Sequence, residues 1–160
     1  MPKFYIGVIL NWIDYNSPPL LLHVGDVIFH PMDITPLTPK EKKRIRSYGA
    51  QIFRVNDDAY SRSIAVTPDA VYLWEPLSLG AITPESVQSL PNSVKKADVL
   101  LLGAGKRYAP LSAEAKNAFA AAGMTPETMD LGAACRTYNV LLSEERNVAA
   151  LLIVSPGDAS

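Results

Sequence analysis

The sequence predicts one compact α/β domain built on a mixed central sheet, with a β-meander in its first half and a β-α-β-α-β succession in its second. Three observations carry this. The chain has 160 residues, 48% of them apolar and 19% charged. That is enough to bury roughly two thirds of the unfolded surface around one core, and short for two such cores. Short runs rich in β-branched and aromatic residues, punctuated by turn residues, fill positions 45–74. From Asp98 onward, wholly apolar runs alternate with helix-like stretches, as strands buried on both faces do when helices pack on them.

Residues 1–39 stand apart. They hold Pro2, Pro18, Pro19, Pro31, Pro36 and Pro39 together with both histidines of the chain, His23 and His30. Phe4–Ile13, Leu20–Val24 and Val27–Phe29 read as short strands, but the prolines forbid a long helix or a central strand. This segment reads as a Pro-rich arm that packs on its own core or on a partner, followed by the α/β domain over 40–160. Between them, Lys40, Lys42, Lys43, Arg44 and Arg46 against Glu41 make a local charge of +5 − 1 = +4. Such a run is a solvated face or a contact for anionic lipid or phosphate, so membrane contact is at most peripheral.

The alternation of Ile45, Ser47 and Gly49, then Ile52, Phe53 and Val55, leads to the turn formers Asn56-Asp57-Asp58 and predicts a hairpin. Ser63–Thr67 reads as its partner strand, and Val71–Trp74 as a third strand after the Pro68-Asp69 turn. Thr83 caps a helix that has Pro84 at its first position and Glu85 near the positive end of the dipole, and Pro91 follows it. Asp98–Gly103 is a central strand. Ser112 caps a helix over Ala113–Ala122 that stops at Gly123. A strand at Glu127–Asp130, a helix at Ala133–Glu144 and a strand at Val148–Val154 complete the succession, with the crossovers putting those strands parallel and the helices against the sheet.

Composition excludes several functions. The formal net charge is −1, which supplies no general pull toward nucleic acid, and specific nucleic-acid binding is not expected. One cysteine forms no internal disulfide and no cysteine-rich metal site. The longest apolar stretches, Tyr5–Ile13 and Val99–Ala104, fall short of the roughly 20 residues that span a bilayer. The first thirty residues carry Lys3 as their one basic residue beside Asp14 and Asp26, unlike an Arg-rich, acid-poor transit peptide.

Several residues invite chemistry, each with a structural counterpart. The Gly103-Ala104-Gly105-Lys106-Arg107 loop after a buried strand can bring amides and cations to a phosphate, but it lacks the spacing of a Walker loop and the third glycine of a dinucleotide fingerprint. Its glycines can equally serve the turn, so no cofactor is expected. Cys135, placed where the last helix is expected to begin, beside Arg136, is a conceivable nucleophile, yet no base accompanies it; the plainer reading is a packed apolar group between alanines. His23 and His30 lack the spacing of metal ligands. Asp130 precedes the helix and suits its cap. Asn139 lies one turn beyond Cys135, and with Arg136 it either borders a cleft or fixes the helix by hydrogen bonds.

Taken in order, Arg46-Ser47-Tyr48-Gly49, Ile64-Ala65-Val66-Thr67-Pro68 leading to Trp74, Leu101–Gly105, and Asp130-Leu131-Gly132-Ala133-Ala134-Cys135-Arg136-Thr137-Tyr138-Asn139 with Leu141, Glu144 and Arg146 resemble a known family. It is the mitochondrial NADH:ubiquinone oxidoreductase (complex I) assembly factor three family with its small bacterial and archaeal relatives. The resemblance runs from about Ile45 to the end. It implies a three-layer α/β domain and a non-catalytic assembly or scaffolding role among proteins of a mitochondrial complex, in the matrix, or in the cytoplasm for a bacterial relative. The family commonly has Thr where this chain has Leu131, and Thr or Ser where it has Ala104, which puts in doubt any ligand site using those hydroxyls. The arm before Pro39 lies outside the resemblance and is where a partner is expected. The alternative is a small-ligand protein or enzyme using a cleft between Gly103-Ala104-Gly105 and Asp130–Asn139, lined by Gly103, Gly105, Asp130, Cys135, Arg136 and Asn139.

Overall fold

The computed structural model describes residues 22–24, 27–29, 41–49 and 51–154. The chain divides into two compact units, Met1–Pro39 and Lys40–Ser160. In the first unit, β1 (Leu22–Val24) and β2 (Val27–Phe29) form an antiparallel hairpin in which Leu22 faces Phe29. The strand expected at Phe4–Ile13, and His30, lie outside the described residues.

The second unit is a mixed α/β domain. Its strands are β3 (Ile45–Tyr48), β4 (Phe53–Val55), β5 (Asp58–Tyr60), β6 (Ile64–Val66), β7 (Val71–Leu73), β8 (Val99–Ala104), β9 (Glu127–Met129) and β10 (Val148–Ile153). Its helices are α1 (Pro84–Gln88), α2 (Asn92–Lys95), α3 (Ala113–Ala121) and α4 (Leu131–Ser143), with a 3-10 turn at Leu79–Ala81.

The main sheet runs β7-β6-β10-β8-β9. β10 is parallel to β8 and β8 to β9, while β6 is antiparallel to β10 and β7 to β6. β10 is buried along its whole length because both its faces are covered. Ala149, Leu151 and Ile153 join a core with Val87, Val94 and Phe119 of α1, α2 and α3. Val148, Ala150 and Leu152 join a second core with Phe53, Val55, Ala134 and Tyr138 of the small sheet and α4. This period of two across one strand makes three layers: three helices, the main sheet, then α4 with a second sheet.

That second sheet, ordered β3-β4-β5, corrects one expected pairing. The partner of β4 across the Asn56-Asp57 turn is β5, not Ser63–Thr67. Ile64, Ala65 and Val66 are all buried, so this strand belongs between two others, and it lies between β7 and β10. The first half is therefore two pieces, β6-β7 within the main sheet and β3-β4-β5 packed beside α4.

The expected caps are present. Thr83 Oγ1 accepts from the Ser86 amide at 3.2 Å and Ser86 Oγ accepts from the Thr83 amide at 3.0 Å, closing a capping box. Ser112 caps α3, and Gly123 ends it at φ +72°. α2 begins after Pro91, where no helix was expected.

Candidate functional site

The helix that carries most of the candidate residues begins two positions earlier than the sequence indicated. Asp130 Oδ1 accepts from the Ala133 amide at 2.8 Å, so Asp130 is the cap and Leu131 the first helical residue. The Leu131 amide donates to the carbonyl of Gly105 at 3.0 Å. The glycine loop and the start of α4 thus meet, joined by their own backbone. Two amides that an anion at this helix end would use are taken by the chain itself.

Gly103 lies in β8 and not in the loop beyond it. A Cβ there would sit 2.5 Å from the Cβ of Ala134 and 3.3 Å from the Cα of Leu131. Its bare backbone is what lets α4 lie close on the sheet. Gly105 adopts φ +64°, the left-handed region that favours glycine.

The early start of α4 moves Cys135 to the second turn, beyond the reach of the helix-terminal dipole. The side chain is buried, with 1% of the residue exposed. Burial pushes the thiol up to about 12, with Asp130 adding to the rise and Arg136 opposing it. At neutral pH this is an inert thiol.

Three further polar residues of α4, Asn139, Tyr138 and Arg136, reach the small sheet and the chain just before it. Asn139 Oδ1 accepts from the Ile45 amide at 3.0 Å, and Asn139 Nδ2 donates to the Ile45 carbonyl at 2.8 Å. Tyr138 Oη donates to the carbonyl of Lys43 at 2.8 Å. Arg136 Nη1 donates to Tyr48 Oη at 3.0 Å. Tyr48 lies over Gly132, where a Cβ would meet its oxygen at 2.8 Å. Burial, assisted by the charge of Asp69, raises the Tyr138 phenol, which therefore stays protonated and able to donate.

The six residues are thus close along one helix and one strand end, and Asp130, Arg136 and Asn139 each hydrogen-bond within the chain. Among the described residues, surface depressions of about 640 and about 520 Å3 lie away from these six. The larger is bordered by Lys42, Tyr72, Lys96 and Arg146, and the smaller lies between α1 and α3. Among the described residues every buried side-chain nitrogen and oxygen has a partner, and no three His, Cys, Asp or Glu side chains gather as a metal would require.

Sequence reasoning passed over two buried polar anchors. Ser63 Oγ donates to the carbonyl of Pro76 and accepts from the Val154 amide at 3.1 Å, tying the loop after β7 to the end of β10. Trp74 Nε1 donates to the Ser86 carbonyl at 2.8 Å. Trp74 is readable as a buried indole needing an acceptor, whereas nothing around Ser63 marks it out.

Three layers around a mixed sheet, with α4 tied to the β3-β4-β5 sheet, define a small α/β domain of one family. Residues 45–153 match the model of the family described as protein of unknown function (DUF498/DUF598), and the chain belongs to it. It is 35% identical, over 70% of its length, to NADH dehydrogenase [ubiquinone] 1 alpha subcomplex assembly factor 3 of Danio rerio. It is 30% identical, over 71% of its length, to an uncharacterised protein of Rhodobacter capsulatus, and covers 86% of that protein. The solution structure of a Xanthomonas campestris protein superimposes with a TM-score of 0.62 at 30% identity, over 81% of this chain and 97% of that one. Against the Danio rerio protein the chain spans 64% of the relative's length.

Proposed function

We propose that this chain is a non-catalytic assembly factor or scaffolding subunit of respiratory NADH:ubiquinone oxidoreductase. The observation that carries the reading is the consumption of the candidate site by the fold. Asn139, Tyr138, Arg136 and Asp130 are each bonded within the chain, and Cys135 is buried and protonated. An acyl or phosphoryl transfer site needs an accessible nucleophile and a base beside it. The name of the Danio rerio relative supplies the complex. The partner-binding element in this reading is the arm over 1–39, which precedes the family match at Ile45, with any membrane contact peripheral through Lys40–Arg46. The location that goes with it is the mitochondrial matrix, or the cytoplasm of a bacterium.

The test is to tag the full chain in its native source and identify by mass spectrometry what co-purifies. Subunits of NADH:ubiquinone oxidoreductase are expected, and deletion of residues 1–38 is expected to remove them while circular dichroism reports a folded domain. Absence of those subunits from the full-chain preparation would sink the reading. A metabolite that raises the melting temperature of the chain but not of Asn139→Ala would replace it with ligand binding in the cleft.

A further inference from the structure

The outward face of the β3-β4-β5 sheet carries a cluster of cations that the internal architecture does not use. Strand alternation turns Ile45, Phe53 and Val55 inward, where they are buried. On the opposite face Arg54 stands directly between Ser47 and Ala59, its cross-strand neighbours. All three are exposed. The register shifts between Ile45 and Ser47, leaving Arg46 as the extra residue of a bulge and exposed. Arg44, next to inward-facing Ile45, is paired through its backbone with Asn56 and is also exposed.

The basic run of the sequence is therefore divided by the fold. Lys42 is ion-paired to Asp69 at 3.2 Å, and Lys43 is half-buried with its carbonyl held by Tyr138. Arg44 and Arg46 are turned to the side where Arg54 joins them from the neighbouring strand. Among the described residues none of these three guanidinium groups has an ion-pair or hydrogen-bond partner.

We propose that this face is a docking surface for an acidic segment of a partner protein, whose carboxylates pair with Arg44, Arg46 and Arg54. The chemistry favours carboxylates. Guanidinium forks bond carboxylates bidentately, and flanking Ser47 and Ala59 are too small to screen Arg54 from a broad partner. A protein is favoured over an anionic bilayer because Asp57, exposed in the turn between β4 and β5, closes one end of the same sheet. A uniformly negative surface would repel that end, whereas a protein can set a cation against it. The proposal rests on the assembly reading only in that the chain acts by binding protein.

The test titrates the full chain, at physiological ionic strength, against a fluorescent glutamate-rich helical peptide and, separately, against vesicles of mixed phosphatidylcholine and phosphatidylserine. The peptide is expected to bind. Arg54→Glu and Arg44→Glu/Arg46→Glu should each weaken it about tenfold or more, and Arg→Lys at all three positions should weaken it several-fold despite unchanged charge. Lys116→Glu, exposed on α3, makes the same charge change as Arg54→Glu and should leave binding intact. Equal losses from Lys116→Glu and Arg54→Glu, or binding to vesicles without binding to peptide, would overturn the proposal. Co-purification separates the two readings. If the chain carrying Arg44→Glu, Arg46→Glu and Arg54→Glu together retains the oxidoreductase subunits that the unaltered chain brings down, the surface is wrong and the assembly reading stands. If the unaltered chain brings down none, the assembly reading fails while the titration still decides the surface.

Discussion

The side-chain amide of Asn139 replaces a neighbouring strand for Ile45, accepting from its N–H at 3.0 Å and donating to its C=O at 2.8 Å. Ile45 stands at the open edge of β3, opposite Val55, and both its backbone groups point away from β4. An amide is the one small side chain that meets a peptide unit with a donor and an acceptor together.

Asn139→Ala leaves both groups of Ile45 unpaired in a half-buried place, and it is expected to lower stability by about 1–3 kcal/mol. Tyr138→Phe removes a single donor and should cost about 1 kcal/mol. Urea unfolding of the two variants and of the double variant measures both, and a double-variant loss different from the sum would show that the two bonds hold α4 as a unit.

Gly103→Ala forces a methyl group to within 2.5 Å of the Ala134 Cβ. Overpacking of this kind costs about 1–3 kcal/mol. Adding Ala134→Gly should recover part of that loss although glycine inside a helix is itself unfavourable by about 1 kcal/mol. Thermal melts of the single and double variants give the order: double above Gly103→Ala, both below the unaltered chain.

Cys135 should resist iodoacetamide at neutral pH in the native chain and react fully in urea, followed by intact mass. The same burial gives a stability dependence with a definite sign. The folded chain holds the thiol proton to about 12 whereas the ordinary value is 9.0, so the unfolded state binds fewer protons between these values. This contribution is complete below about 9 and is lost as pH rises through about 12. The Tyr138 phenol, also raised, acts in the same direction. Melting temperature should fall above about pH 9, and Cys135→Ala should make that decline shallower.

Glu145 occupies the left-handed region at φ +58° just past the end of α4. Its amide donates to Leu142 and that of Arg146 to Leu141, the paired bonds of a Schellman stop that normally employs glycine. Glu145→Gly is expected to stabilise the chain by about 0.5–1 kcal/mol once the extra freedom of the unfolded glycine is counted. Urea unfolding would detect it as a midpoint shift at unchanged slope.

Much of the second half was legible because its signals are local. The uninterrupted apolar runs of β8 and β10, the capping residues Thr83, Ser112 and Asp130, and the stop at Gly123 each follow from side-chain chemistry within a few residues. β5 was not legible, since Asp58-Ala59-Tyr60 is short and begins with a charge where strand propensity favours neither. Nor was the pairing of β6, which depends on strands far along the chain. At the candidate site, the cap and the packed thiol could be read locally. The meeting of Asn139 with Ile45 could not, because the two lie 94 positions apart and only the shared sheet face brings them together.

The place of β10 has a consequence for how the chain is made. This strand separates β6-β7 from β8-β9 in the sheet, yet it follows all four in sequence. As the chain leaves the ribosome, the slot between the two outer pairs has no occupant, and the edges of β6 and β8 that border it lack their partner until Val148–Ile153 emerges. The domain therefore closes in a single late step. A nascent chain stalled before that step would present two unpaired strand edges, the form in which chaperones and wrong neighbours find it most readily.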